Sequence, residues 1–178
     1  MMPRTIEHAA AEPPRECGDC HACCIDLRID QKPPGTRCEY LATPGGCSIY
    51  PQRPKLCRDY DCLWRLMGAG LLDDDQRPDR IGCVLTVKRA SSLELPPRHG
   101  GDWLVAVAYP AGGREAVADR PEAMEAVRRV RMAGLHVLID EPLAAGHLAT
   151  LDAPLRAPTD RFVRTLALAM NSMKTEGP

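Results

Sequence analysis

The sequence predicts an α+β chain: a cysteine-rich N-terminal lobe packed on a small β-sheet with helices on one side. Three observations carry that expectation. Eight of the nine cysteines lie between Cys17 and Cys62, and only Cys83 follows. Beyond residue 70 the chain alternates short apolar runs with amphipathic stretches, in the order β-β-α-β-β-α. Apolar residues make up 44% of the chain and aromatics only 4%, so its core must be built from Leu, Val, Ile, Ala and Met. The boundaries expected are 1–15 for a flexible tail, 16–70 for the cysteine lobe and 71–178 for the α+β lobe.

Each element has its own signal. Pro3, Pro13 and Pro14 interrupt a tail without periodicity, and His8 within it reads as a solvated side chain. Cys17–Cys24 suits a short helix, because at about 100° per residue Cys17, Cys20 and Cys24 fall on one stripe. Ile25 to Ile29 alternates as a short half-exposed strand. Cys38–Leu41 and Cys47–Tyr50 flank the turn Thr43–Gly46 and suit a hairpin. Pro54 opens a helix running through Cys57 and Cys62 to Met67, stopped by Gly68 and Gly70. Ile81–Lys88 and Asp102–Tyr109 read as strands. Pro121–Ala133 reads as a helix, with proline at its start and Gly134 after its end. His136–Asp140 is a third strand and His147–Leu151 a short fourth. Thr159 or Asp160 caps a last helix carrying Phe162, Leu166, Ala169 and Met173 on one face.

The clustered thiols point to metal. Thiolate is a soft ligand that suits Zn²⁺, iron–sulfur clusters and Cu(I). The candidate ligands are Cys17, Cys20, Cys23, Cys24, Cys38, Cys47, Cys57 and Cys62. Four thiolates saturate one tetrahedral zinc, so eight fill two such sites, or one [4Fe–4S] cluster with four to spare. The triplet Cys17-x-x-Cys20-x-x-Cys23 matches a cluster-wrapping spacing. The adjacent pair Cys23-Cys24 allows two zinc sites equally well, so zinc and iron–sulfur stay undecided. Arg53, Lys55 and Arg58 beside Cys57 are candidates for charge compensation, and Asp59 and Asp61 for orienting ligands. Leu63 and Trp64 are expected to roof the site. Cys83, inside an apolar strand, reads as a small buried hydrophobe.

The pattern CxxCxxCC, then C-x-Y-L, then C-x-I-Y-x-x-R-P-x-x-C-R, resembles the YkgJ-type cysteine-cluster family, described as zinc- or iron-chelating domains. Its matches run from Cys17 through Tyr40, Leu41, Ile49, Tyr50, Arg53, Pro54 and Arg58 to Cys62, about the first third of the chain. The resemblance implies chelation and supplies no reaction. A related cysteine cluster occurs in flagellin lysine methylases, but no G-x-G-x-x-G or other methyl-donor signature is present.

Composition narrows the remaining classes. A net charge of −1 gives no reason to expect nucleic acid. No apolar run reaches transmembrane length and no leader is apparent, so no membrane partner and a cytoplasmic location are expected. A reducing cytoplasm keeps thiols free for metal ions rather than disulfides. The leading expectation is therefore a metal-binding protein. The alternative is an iron–sulfur-dependent enzyme of redox or group transfer, with its substrate site between the two lobes. No substrate or protein partner can be named, and enzyme activity is left open.

Overall fold

The computed structural model describes residues 15–29, 32–67, 70–98, 101–111, 118–139, 150–152, 154 and 166, and among these five α-helices and four strands have both ends described. The helices are Ala22–Asp26 (α1), Lys55–Arg58 (α2), Leu63–Met67 (α3), Pro78–Ile81 (α4) and Pro121–Met132 (α5). The strands are Cys83–Arg89 (β1), Leu104–Pro110 (β2), His136–Ile139 (β3) and Thr150–Asp152 (β4). The expected tail, apart from Arg15, lies outside the described residues, as does the expected last helix apart from Leu166. Leu166 is helical and buried in the main core.

The sheet is mixed, in the order β1-β2-β3-β4. β1 and β2 pair antiparallel from Cys83↔Pro110 to Arg89↔Leu104. β3 runs parallel to β2, with Val105 opposite His136, and a parallel neighbour requires a crossover. Helix α5 is that crossover. Pro121 opens it, and Gly134 closes it at φ +95°. The Gly134 amide there donates to the Arg131 carbonyl at 3.1 Å and the Leu135 amide to Val130 at 3.3 Å, the bonds of a left-handed helix cap. β4 pairs antiparallel with β3.

Alternation along the strands makes two buried faces. On one, Cys83, Leu85, Ala106, Ala108, Val137 and Ile139 cluster with Ala123, Ala126, Val127 and Val130 of α5. On the other, Val84 packs with Ala22 and Leu27 of the cysteine segment. Further along that face Val105, Val107 and Leu138 take Leu93, Leu95 and Trp103. The α+β class therefore holds, while helices on one side does not: α1 covers the face opposite α5. The first four residues of β1 are all buried, as expected of a strand covered on both faces.

Three local expectations in the cysteine segment change. The helix over Cys17–Cys24 begins only at Ala22, because Gly18 takes φ +55° in a turn that returns the Cys20 amide to the Cys17 carbonyl at 3.0 Å. Ile25 and Asp26 belong to that helix, and the expected strand reduces to a bridge between Ile29 and Lys32. The helix expected from Pro54 to Met67 is broken between α2 and α3. In the gap the Asp61 carbonyl accepts from the Thr86 hydroxyl at 3.3 Å, which docks the linker on β1. The 38–50 hairpin shrinks to one bridge, Leu41↔Cys47, closed by amide bonds from Ala42 to Gly46 and from Ser48 to Tyr40.

Candidate metal centre

Short loops hold the cysteine segment by a few long-range polar contacts. The Arg15 amide donates to the Arg65 carbonyl at 3.1 Å, and its guanidinium donates to the Leu72 carbonyl at 2.8 Å while lying 4.7 Å above the Trp64 ring. Cys17 thereby starts beside the helix that follows Cys62. Arg77 joins Asp19 at 2.6 Å to Asp79 at 2.7 Å and fastens the first turn to α4. Lys32 Nζ donates to the carbonyls of Ile25 at 3.0 Å and Thr36 at 2.9 Å, wrapping the following loop around the end of α1. Gly45 lies so close to the first turn that an added Cβ would stand 2.7 Å from the Asp19 carbonyl oxygen.

All eight candidate cysteines line one cavity of about 1230 Å³ between the cysteine segment and the sheet. Pro78, Val84, Lys88 and Tyr109 wall it from the C-terminal side. Cys83 stands apart: it faces the main core and is 1% exposed, and burial pushes its thiol up to about 12. All nine cysteines are free thiols. Among the described residues, no three His, Cys, Asp or Glu side chains stand close enough together to grip one ion as they are. The cysteines converge on a common space without closing a finished ligand shell.

Electrostatics distinguish them. Cys23 donates its thiol proton to Cys24, which holds Cys24 down at about 6 and keeps Cys23 protonated far above the ordinary thiol range. Burial raises Cys20 to about 11 and Cys62 to about 12. Burial also raises Cys17 and Cys57. Bound to metal, such thiols would give up their protons, as thiolate ligation requires.

The lining also holds unsatisfied donors. Four buried side-chain nitrogen or oxygen atoms among the described residues lack a hydrogen bond, and three of them belong to cavity residues: Arg53 Nε, Arg65 Nε and Tyr60 Oη. The Thr86 hydroxyl lies beside Tyr60 but donates to Asp61, and Tyr60 Oη completes no hydrogen bond of good geometry. Buried donors are almost always paired, so three orphans around one space ask for an acceptor within it. Thiolate and cluster sulfur are acceptors of that kind. The donor set thus fits a thiolate-bound metal.

Several expected helpers move. Arg53 lines the cavity and stacks 3.8 Å over Tyr50, whereas Lys55 and Arg58 stay outside it, with Lys55 paired to Asp59 at 2.7 Å. Asp61 lines the cavity and pairs with Arg65. Trp64 is part of the wall, its indole donating to the Asp73 carbonyl at 3.0 Å, but Leu63 is buried in the core cluster shared with α5. Among the described residues, His21 within the cysteine run has its hydrogen bond with the Asp19 carbonyl, at 3.2 Å. Sequence reasoning missed Tyr60 and Arg65. Their signal was positional, two residues before and three after Cys62.

Compared with protein-family models, curated proteins and solved structures, the chain finds no match. No helix among the described residues is long and apolar enough to cross a membrane.

Proposed function

We propose that this is a metal-binding protein that chelates zinc or an iron–sulfur centre through Cys17, Cys20, Cys23, Cys24, Cys38, Cys47, Cys57 and Cys62. One observation carries the reading: eight thiols from five separate stretches of chain line one cavity, and three other residues that line it carry an orphaned buried donor. An apolar core has no use for that combination. The likeness of the cysteine spacing to the YkgJ-type chelating domains points the same way. A cytoplasmic setting suits it, since thiols there stay reduced and available. When bound, the metal would supply either a structural crosslink or a redox-active centre. The chain's part is to present soft sulfur, donate N–H and O–H groups towards it, and exclude water with Val84, Trp64 and Tyr109.

A second reading is an iron–sulfur-dependent enzyme of redox or group transfer. The cavity volume favours it, because about 1230 Å³ exceeds what metal centres alone occupy, and residues of the C-terminal lobe form one wall. A pocket of that size accommodates a small-molecule substrate.

Anaerobic purification with metal analysis and an absorption spectrum tests the proposal. Broad visible absorption that bleaches on reduction selects iron–sulfur, and a colourless protein with stoichiometric zinc selects zinc. Cys57→Ser is expected to lower bound metal and destabilise the cysteine segment, because ligand loss is a loss of folding free energy. Cys83→Ser is expected to leave metal content intact. Protein free of both metals, with all eight thiols titrating freely, overturns the reading.

A further inference from the structure

Resting on the metal-binding reading, we infer that the eight thiolates form two centres divided at the Cys23–Cys24 peptide. An inner centre uses Cys17, Cys20, Cys23 and Cys62 on the floor of the cavity. An outer centre uses Cys24, Cys38, Cys47 and Cys57 in the loops above it.

Packing separates the two sets. Cys20, Cys23 and Cys62 lie in one apolar cluster with Ala22, Leu27 and Val84, against the sheet. Cys17 joins them through the turn bond from the Cys20 amide and through Arg15, whose amide bond to Arg65 draws this end of the chain onto the helix after Cys62. None of the other four belongs to an apolar cluster among the described residues. They are linked instead by loop backbone. The Cys38 amide donates to the Cys24 carbonyl at 3.0 Å, the Leu41 amide donates to Cys38 at 3.1 Å, and Leu41 bridges Cys47. Cys57, on α2, lines the cavity outside the apolar clusters and completes the set. Cys23 packs in the apolar cluster against the sheet, whereas the Cys24 carbonyl takes the Cys38 amide, so the two neighbours, whose thiols share a hydrogen bond where no metal is bound, are divided between centres from one peptide.

Charge gives an independent count. The cavity lining carries six cationic side chains, Arg28, Lys32, Arg37, Arg53, Arg65 and Lys88, against the carboxylates of Glu39 and Asp61. The excess is four positive charges. Four thiolates around a divalent zinc carry −2, and so do four thiolates around a [4Fe–4S]²⁺ or [2Fe–2S]²⁺ core. Two such centres carry −4 and match that excess; of the charges counted, Arg28, Arg37 and Glu39 are exposed and screened by solvent. The argument is the same for zinc and for iron–sulfur.

Anaerobic titration of the metal-stripped full chain with Co²⁺ tests the division, because tetrathiolate cobalt has a distinctive visible spectrum. Wild type is expected to take up two Co²⁺ per chain. Cys20→Ser and Cys62→Ser should each lose one and keep the other as an intact tetrathiolate centre, and so should Cys47→Ser and Cys57→Ser. Combining Cys20→Ser with Cys47→Ser should remove both centres, whereas combining Cys20→Ser with Cys62→Ser should remove only one. That contrast between double variants separates ligand loss from general misfolding, which would abolish both alike. Uptake of only one Co²⁺ by wild type, or loss of all bound Co²⁺ in every single variant, overturns the two-centre division but leaves metal binding standing. No tetrathiolate cobalt in wild type overturns the metal reading and the division with it.

Discussion

Cys23 and Cys24 share a peptide bond, yet one thiol is held protonated and the other is an anion at neutral pH. The cause is their mutual hydrogen bond, which lowers Cys24 from 9.0 to about 6. Thiolate is the reactive form, so the sign is direct: below pH 6 Cys24 carries its proton and is inert, and above it the anion is exposed to attack. In metal-stripped protein, iodoacetamide is expected to modify Cys24 before Cys20 and Cys62, with a rate rising through a midpoint near pH 6. Peptide mapping after timed alkylation measures this. Cys23→Ala removes the donor and should move the midpoint up towards the ordinary thiol value. An unchanged midpoint in that variant would assign the shift to another neighbour.

At the level of elements, the close approach of the 43–46 loop to the first cysteine turn is the tightest constraint in the segment. Gly45→Ala places a methyl 2.7 Å from the Asp19 carbonyl oxygen, and backbone has little room to give. We expect a cost of about 1–3 kcal/mol, typical of overpacking. Denaturant unfolding of metal-free and metal-loaded protein would measure it, with Gly70→Ala as a control away from the contact, since a Cβ there meets nothing within 4 Å and the backbone is not left-handed. These loops also show what the sequence made legible. Strands β1 to β3 and helix α5 were readable because period, proline and glycine signals are local and agree. The cysteine lobe was readable as chemistry but not as geometry. Gly18 looked like an ordinary helix position until its left-handed turn broke the stripe, and nothing local marked Asp61 as the stop between α2 and α3. Its reason is a bond to Thr86, 25 positions away. Of the six cationic residues of the cavity only Arg53 was legible, and the other five were hidden, being spread from Arg28 to Lys88.

For the whole molecule, the two faces of the sheet imply separable stability. The face under α5 is filled by Leu85, Ala106, Val127, Val130 and Val137 without any candidate metal ligand fully buried in it. Removing metal with a chelator is therefore expected to raise amide hydrogen exchange across residues 17–62 while Ala106 and Val107 stay protected. Leu85→Ala, costing about 2–5 kcal/mol, should loosen the sheet even in metal-loaded protein. Exchange that rises together in both regions on chelation would show one cooperative unit instead.

The floor of the cavity comes from Val84, Lys88 and Tyr109, all later in the chain than the thiols above them. During synthesis the last of the eight cysteines leaves the ribosome ahead of Tyr109 by about 2–10 seconds at ordinary elongation rates. Through that interval the nascent segment carries eight unroofed thiols with no surface to settle on. Metal delivered then meets a flexible chelating peptide; metal delivered afterwards meets a pocket. If the chain binds metal as proposed, the order in which it is made sets a window in which wrong thiol pairings compete with correct loading.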